Sequence, residues 1–126
     1  MEESAIRNFG DLKVYQKLLE LHLEVHRLTL TFPKFEMYEL GSQLRRSSNS
    51  IPANLAEGWN NKHLTMYLEG INRASGELRE THHHLAVAFR KGYLDQGLFE
   101  RLISSYEECG KMLTGLASSL RKSGGR

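Results

Sequence analysis

The stretch LTMYLEGINRASGELRETHHHLAVAF, residues 64–89, decides the fold. Leu64, Leu68, Ile71, Ser75, Leu78, His82, Leu85 and Phe89 recur at alternating steps of four and three. That spacing puts them along one face of a long helix. No proline interrupts the stretch, and Gly92 follows at the place where helices end. The pattern predicts a buried stripe in this phase, with His82 on it as a hydrogen-bonded structural histidine.

The same periodicity continues outward in both directions. Val14, Leu18, Leu21, Val25, Leu28 and Phe32 mark a first helix, with Asp11 as its expected N-cap and Pro33 beyond its end. A second helix is expected from about Glu36 to Trp59, with Met37, Leu40, Leu44, Ile51 and Leu55 on its buried side and Ser48 filling the gap. Leu98, Leu102, Tyr106, Cys109, Leu113, Leu116 and Leu120 mark a fourth helix, capped by Asp95. Four helices with one apolar stripe each and short connections predict an all-α, antiparallel, up-and-down four-helix bundle. Residues 1–10 read as an N-terminal arm, 11–122 as the bundle and 123–126 as a flexible tail.

Length and composition suit this reading. The chain has 126 residues, enough for one domain, and its 40% hydrophobic content can build a core. Cys109 stands alone, which excludes an intrachain disulfide. No apolar run approaches a membrane span or a signal peptide, so a cytoplasmic location is expected. The net charge of +2 is unevenly distributed: beyond Glu108 come Lys111, Arg121, Lys122 and Arg126 and no acid. These cations either complement the negative end of the last helix or attract phosphate or an acidic partner.

Residues 43–58, QLRRSSNSIPANLAEG, are unusual for a bundle helix. Serine and asparagine are mediocre helix formers, and Pro52 removes a backbone donor and bends a helix. Ser47, Ser50, Ala53, Asn54 and Gly58 form a strip of small residues. Two readings stay open for it: tight packing inside one bundle, or contact between subunits. Arg45 and Arg46 point about 100° apart on a helix, so at least one faces solvent or a subunit contact. Glu57 lies on the side of Arg46 but three turns away, and needs a different partner.

The candidates for chemistry are weak. His22 and His26 share a helix face, yet a catalytic zinc site wants a third ligand. No metal or cofactor is expected. There is no phosphate-binding glycine loop and no nucleophile with a base and an acid behind it, so no enzyme activity is expected.

Leu44-Arg45-Arg46-Ser47 followed by Ser50-Ile51-Pro52-Ala53-Asn54-Leu55-Ala56-Glu57-Gly58 resembles the signature of the bacterial four helix bundle proteins encoded by intervening sequences in 23S rRNA genes. These are related to the accessory variability determinants of diversity-generating retroelements. Phe9-Gly10-Asp11-Leu12-Lys13-Val14-Tyr15-Gln16 and Phe32-Pro33 with Glu36, Tyr38 and Leu40 resemble further parts of the pattern. Ala74-Ser75-Gly76-Glu77-Leu78 departs from the Gly-Ser and Glu-Leu pairs usual there. The resemblance implies a ring-shaped homo-oligomer, a homopentamer, with Ser47, Ser50, Pro52, Asn54, Glu57 and Gly58 in the motif or interface. It implies no catalytic residues, and for the retroelement relatives binding to a reverse transcriptase and to nucleic acid. The expected function is thus a non-enzymatic scaffold that meets RNA or DNA through Arg45, Arg46, Lys62, Arg121 and Lys122. The alternative is a protein-only adaptor.

Overall fold

The chain enters the bundle through a single 3-10 turn, Phe9–Asp11. Asn8 Oδ1 accepts from the Gly10 amide at 2.8 Å, and Asp11 Oδ2 accepts from the amides of Arg7 at 2.8 Å and Asn8 at 3.2 Å. Asp11 is therefore spent on closing this turn. It does not cap the first long helix, which begins after the extended residue Leu12. These features belong to a computed structural model that describes residues 6–124. Met1–Ala5 of the expected arm and Gly125–Arg126 of the expected tail lie outside the described residues.

Four helices follow: α1 (Lys13–Thr29), α2 (Leu40–Gly58), α3 (Leu64–Arg90) and α4 (Gln96–Gly124). There is no strand among the described residues. In α1 Val14, Leu18, Leu21 and Val25 are buried as their spacing predicts and Phe32 is buried just beyond the helix, but Thr29 is buried where Leu28 was expected and Leu28 is only partly buried. In α4, Leu102, Tyr106, Cys109 and Leu113 are buried, and Asp95 accepts from the Leu98 amide at 2.8 Å. The helix runs on to Gly124, past the expected start of the tail.

α2 starts later than its pattern suggests. Pro33 opens a second 3-10 turn, Lys34–Glu36, and the helix begins only at Leu40. The cause is Glu36, whose carboxylate turns inward although it carries a charge. It accepts from Lys91 Nζ at 2.9 Å, Tyr93 Oη at 2.7 Å and the Leu40 amide at 3.3 Å. Lys91 first and Tyr93 second hold this carboxyl below the usual carboxylate range. Met37, expected on the buried side, is exposed as a result. Pro52 lies inside α2 and is buried, and the helix continues through it.

α3 keeps Ile71, Leu78 and Leu85 of its expected stripe and shifts the other half of it by one residue. Tyr67, Gly70, Ile71, Ala74, Leu78, Thr81, Leu85 and Ala88 face inward, while Leu64, Leu68, Ser75, His82 and Phe89 lie at the margins. Large apolar residues dominate a pattern read from sequence, but helices that approach closely bury small ones. The structural role expected of His82 falls to Thr81.

α3 and α4 run antiparallel in one register along their whole length. Phe89 stacks on Phe99 at 4.6 Å, Leu78 faces Gly110, and a side chain at Gly124 would run into Leu64. Lys17 pairs with Glu108 at 3.2 Å, and Glu24 with Arg101, which fixes α1 against α4 in the same sense. The start of α3 and the end of α4 therefore share one end of the bundle with the α2–α3 turn. The α1–α2 connection, Lys91 and Tyr93 occupy the other end.

Candidate nucleic-acid interface

The five cations singled out in the sequence separate into two groups. Arg45 and Arg46 are committed within the bundle. Arg45 donates from Nη1 to Thr29 Oγ1 at 2.9 Å and from Nη2 to the Met37 carbonyl, tying the end of α1 to the start of α2. Arg46 lies on the exposed side of α2 but pairs with Glu77 at 3.4 Å and with Glu80 of α3. Glu80 foremost pushes the Arg46 pKa up, and Arg46 in turn pulls the Glu80 carboxyl down. Glu80 also receives His84 Nε2 at 3.2 Å. Neither arginine presents a vacant fork to a phosphate, because a guanidinium already paired with carboxylate must give up that pair first.

Lys62, Arg121 and Lys122 behave differently. Lys62 stands in the turn after α2, and Arg121 and Lys122 in the last turn of α4, so the antiparallel register brings them to one end of the molecule. All three are exposed, and none takes part in an ion pair among the described residues. Three exposed acids share this end: Asp11 accepts from backbone amides, Glu69 pairs with Arg73 at 3.7 Å, and Glu57 has no ion-pair partner among the described residues. Further along the α3–α4 seam a groove of about 680 Å³ is lined by Arg79 and Lys111, with Glu107 opposite. Cations that are already solvated and unpaired are the ones that can exchange counterions with a polyanion at little cost.

The family model for 23S rRNA-intervening sequence proteins matches residues 10–115. The chain belongs to this family. Its structure is similar to that of a protein of unknown function from the S23 ribosomal protein family of Bacteroides thetaiotaomicron. The two share 26% identity, with a TM-score of 0.72, over 82% of this chain and 97% of that one. No curated protein matches this chain.

The family motif in α2 has a physical use inside the single bundle. Ser47 and Thr81 are fully buried, with their hydroxyls 2.8 Å apart. Thr81 also lies 2.9 Å from the Glu77 carbonyl, so with its one proton given there, Ser47 donates to Thr81. A Cβ at Gly58 would lie 3.1 Å from the Gly70 Cα, and one at Gly70 only 2.8 Å from the Asn54 carbonyl oxygen. These glycines let α2 and α3 touch backbone to backbone. Ser50 and Asn54 turn their polar groups back onto the helix, donating to the carbonyls of Arg46 and Ser50. Ser48, in the gap of the stripe, meets His22 Nδ1 at 2.8 Å. The strip thus divides: Ser47 and Gly58 pack against α3, while Ala53 is exposed.

The remaining chemistry stays quiet. His22 and His26 lie with ring centroids 6.2 Å apart, but no group of three metal-binding side chains occurs among the described residues. Burial pushes the Cys109 thiol up to about 11, which keeps it protonated and a poor nucleophile. No helix among the described residues is long and apolar enough to cross a membrane.

One surface escaped the sequence reading. Leu30, Phe35, Met37 and Tyr38 are exposed around the α1–α2 connection, Tyr38 at 87% and Phe35 at 66%. The signal in the sequence is that Leu30, Phe35 and Tyr38 lie off every stripe; Met37 is the one residue of this surface that the expected α2 stripe included.

Proposed function

We propose that this protein is a non-enzymatic scaffold that binds RNA or DNA through the end of the bundle carrying Lys62, Arg121 and Lys122. The observation that supports this is the convergence of three exposed, unpaired cations from two separate elements. Such cations hold phosphates as positioning charges and carry no sequence information. Arg45 and Arg46, the first candidates by sequence, serve as braces between helices instead.

Copies of the bundle assembled into a ring, as the family resemblance implies, would present several such ends together. Linked sites bind a long polyanion far more tightly than one site does. A nucleic-acid enzyme such as a reverse transcriptase would then meet its template on the scaffold.

The test is affinity for RNA as a function of salt. Each phosphate contact adds about 0.7–0.9 to the slope of log affinity against log salt. Replacing Lys62, Arg121 and Lys122 together by alanine should lower that slope by about 2 to 3 for each bundle engaged. An unchanged slope would show that the phosphates lie elsewhere.

A further inference from the structure

We propose that the opposite end of the bundle stacks unpaired bases of single-stranded nucleic acid on Phe35 and Tyr38, with Arg27, Lys34 and Arg90 holding the adjoining phosphates. The two ends are separated by the length of α3, about 40 Å at 1.5 Å per residue. The class of ligand rests on the nucleic-acid reading above; the site does not.

Phe35 and Tyr38 are three residues apart in a 3-10 turn continued by tight turns, a spacing that sets side chains on one side. Both are largely exposed, while Glu36 between them is 1% exposed. The turn is rigidly held. Glu36 is fastened to Lys91 and Tyr93, its amide donates to the Pro33 carbonyl at 2.9 Å, and Arg45 grips the carbonyl of Met37. Phe32 packs on Tyr93 at 5.0 Å beneath it. The aromatic rings are thus mounted on a fixed base, and a ligand that stacks on them orders little of the protein.

Charge selects the occupant. Arg27, Lys34 and Arg90 are exposed at the same end of the bundle and form no ion pair among the described residues. The acids at this end are Glu39 and Glu100, which are exposed, Asp95, which caps α4, and Glu36, which Lys91 neutralises. Aromatic faces among cations suit an unpaired strand, whose bases stack while its backbone meets positive charge. A duplex keeps its bases stacked inside and offers nothing to the rings. A two-fold contact with a second copy would bring two cation-bearing patches together, a like-charge arrangement. A lipid surface takes the long apolar face of an amphipathic helix, whereas this turn is short and interrupted by Lys34 and Glu39.

The test uses the full chain with three probes: a labelled oligouridine, a matched RNA duplex and vesicles of anionic phospholipid. Phe35→Ala with Tyr38→Ala should weaken oligouridine binding by at least about tenfold, since each base stack is worth about fivefold or more and two are lost. Duplex binding should be unchanged. Phe35→Tyr with Tyr38→Phe, which keeps both rings, should retain affinity. Unchanged oligouridine binding in the alanine pair overturns the proposal, as does an equal loss on both RNA forms. A drop in oligomeric mass by light scattering assigns the patch to a second copy, and loss of vesicle capture alone assigns it to lipid; either also overturns it. If the Lys62, Arg121 and Lys122 alanine variant loses oligouridine while the aromatic pair does not, only this proposal fails. If the native chain binds neither RNA, both readings fail together.

Discussion

The seam between α2 and α3 and the seams made by α4 solve the same packing problem in opposite ways. α2 and α3 meet through Gly58, Gly70, Ala74 and the buried Ser47–Thr81 hydroxyl pair, with backbone near van der Waals contact and the hydroxyls bonded. α4 meets its neighbours through large side chains, Leu102, Tyr106 and Leu113, and leaves grooves. One of about 450 Å³ lies against α1, lined by Lys13, Gln16, Leu21 and Cys109 among others, and the second lies against α3. Glycine brings backbone against backbone in one seam, whereas along α4 Gly115 has nothing within 4 Å of a Cβ, Gly110 only Leu78 Cδ1 at 3.9 Å, and Gly124 at the helix end meets the Leu64 side chain. Shape is therefore dictated to α3 by its partner, whereas α4 docks by bulk hydrophobicity. In general terms, side-chain volume alone gives attachment, and complementarity gives a unique arrangement.

The largest expected contrast comes from one substitution made in both places. Gly70→Ala puts a methyl group 2.8 Å from the Asn54 carbonyl oxygen, a backbone atom that moves only with its helix. We expect a loss of about 1–3 kcal/mol, larger than the helix-propensity gain of up to about 1 kcal/mol that alanine brings. Gly115→Ala meets open space on an exposed helical position and should raise stability by about 0.5–1 kcal/mol. Urea denaturation of both variants measures this directly. The same sign in both would abolish the distinction between the seams.

Hydroxyl groups sharpen the contrast at a smaller scale. Thr81→Val keeps the shape of the side chain but strands the buried Ser47 hydroxyl, at a cost of about 1–2 kcal/mol. In α4 the Tyr106 hydroxyl is buried with no hydrogen-bond partner among the described residues, and burial also raises its pKa. Tyr106→Phe should therefore be neutral or stabilising by up to about 1 kcal/mol. A clear loss in that variant would reveal a bond from this hydroxyl to a buried water.

Much of this was open to reading in the sequence, and the division follows the same line. α1 and α4 carry large residues in regular spacing, and their stripes come out as read, Val14 to Val25 and Leu102 to Leu113. In α3 half of the stripe slipped because Gly70, Ala74, Thr81 and Ala88 are buried for their smallness, a property set by α2 and invisible along α3 itself. Asp11 has the side chain of a helix cap, yet an intervening 3-10 turn takes it. Lys62, Arg121 and Lys122 could be chosen as free cations because their surroundings in sequence hold few acids. Arg46 could not be excluded, since Glu77 and Glu80 lie 31 and 34 residues away along the chain. Pairing over such a distance depends on the register between two helices, which no local pattern encodes.

The smallest effect expected joins the two kinds of packing through pH. His22 of α1 is half-buried against Ser48 of α2, and burial first, then the neighbouring His26, lowers its pKa below the usual histidine value. An unfolded histidine takes up its proton near pH 6.5, before the folded one does. As pH falls below that value the unfolded state binds more protons, so stability declines until folded His22 is protonated too. Melting temperatures measured from pH 7.5 down to 5 should fall more steeply in the native chain than in His22→Gln, while both share whatever the carboxylates contribute. Parallel curves would mean that the proton finds room beside Ser48, and that the α1–α2 seam yields as readily as those of α4.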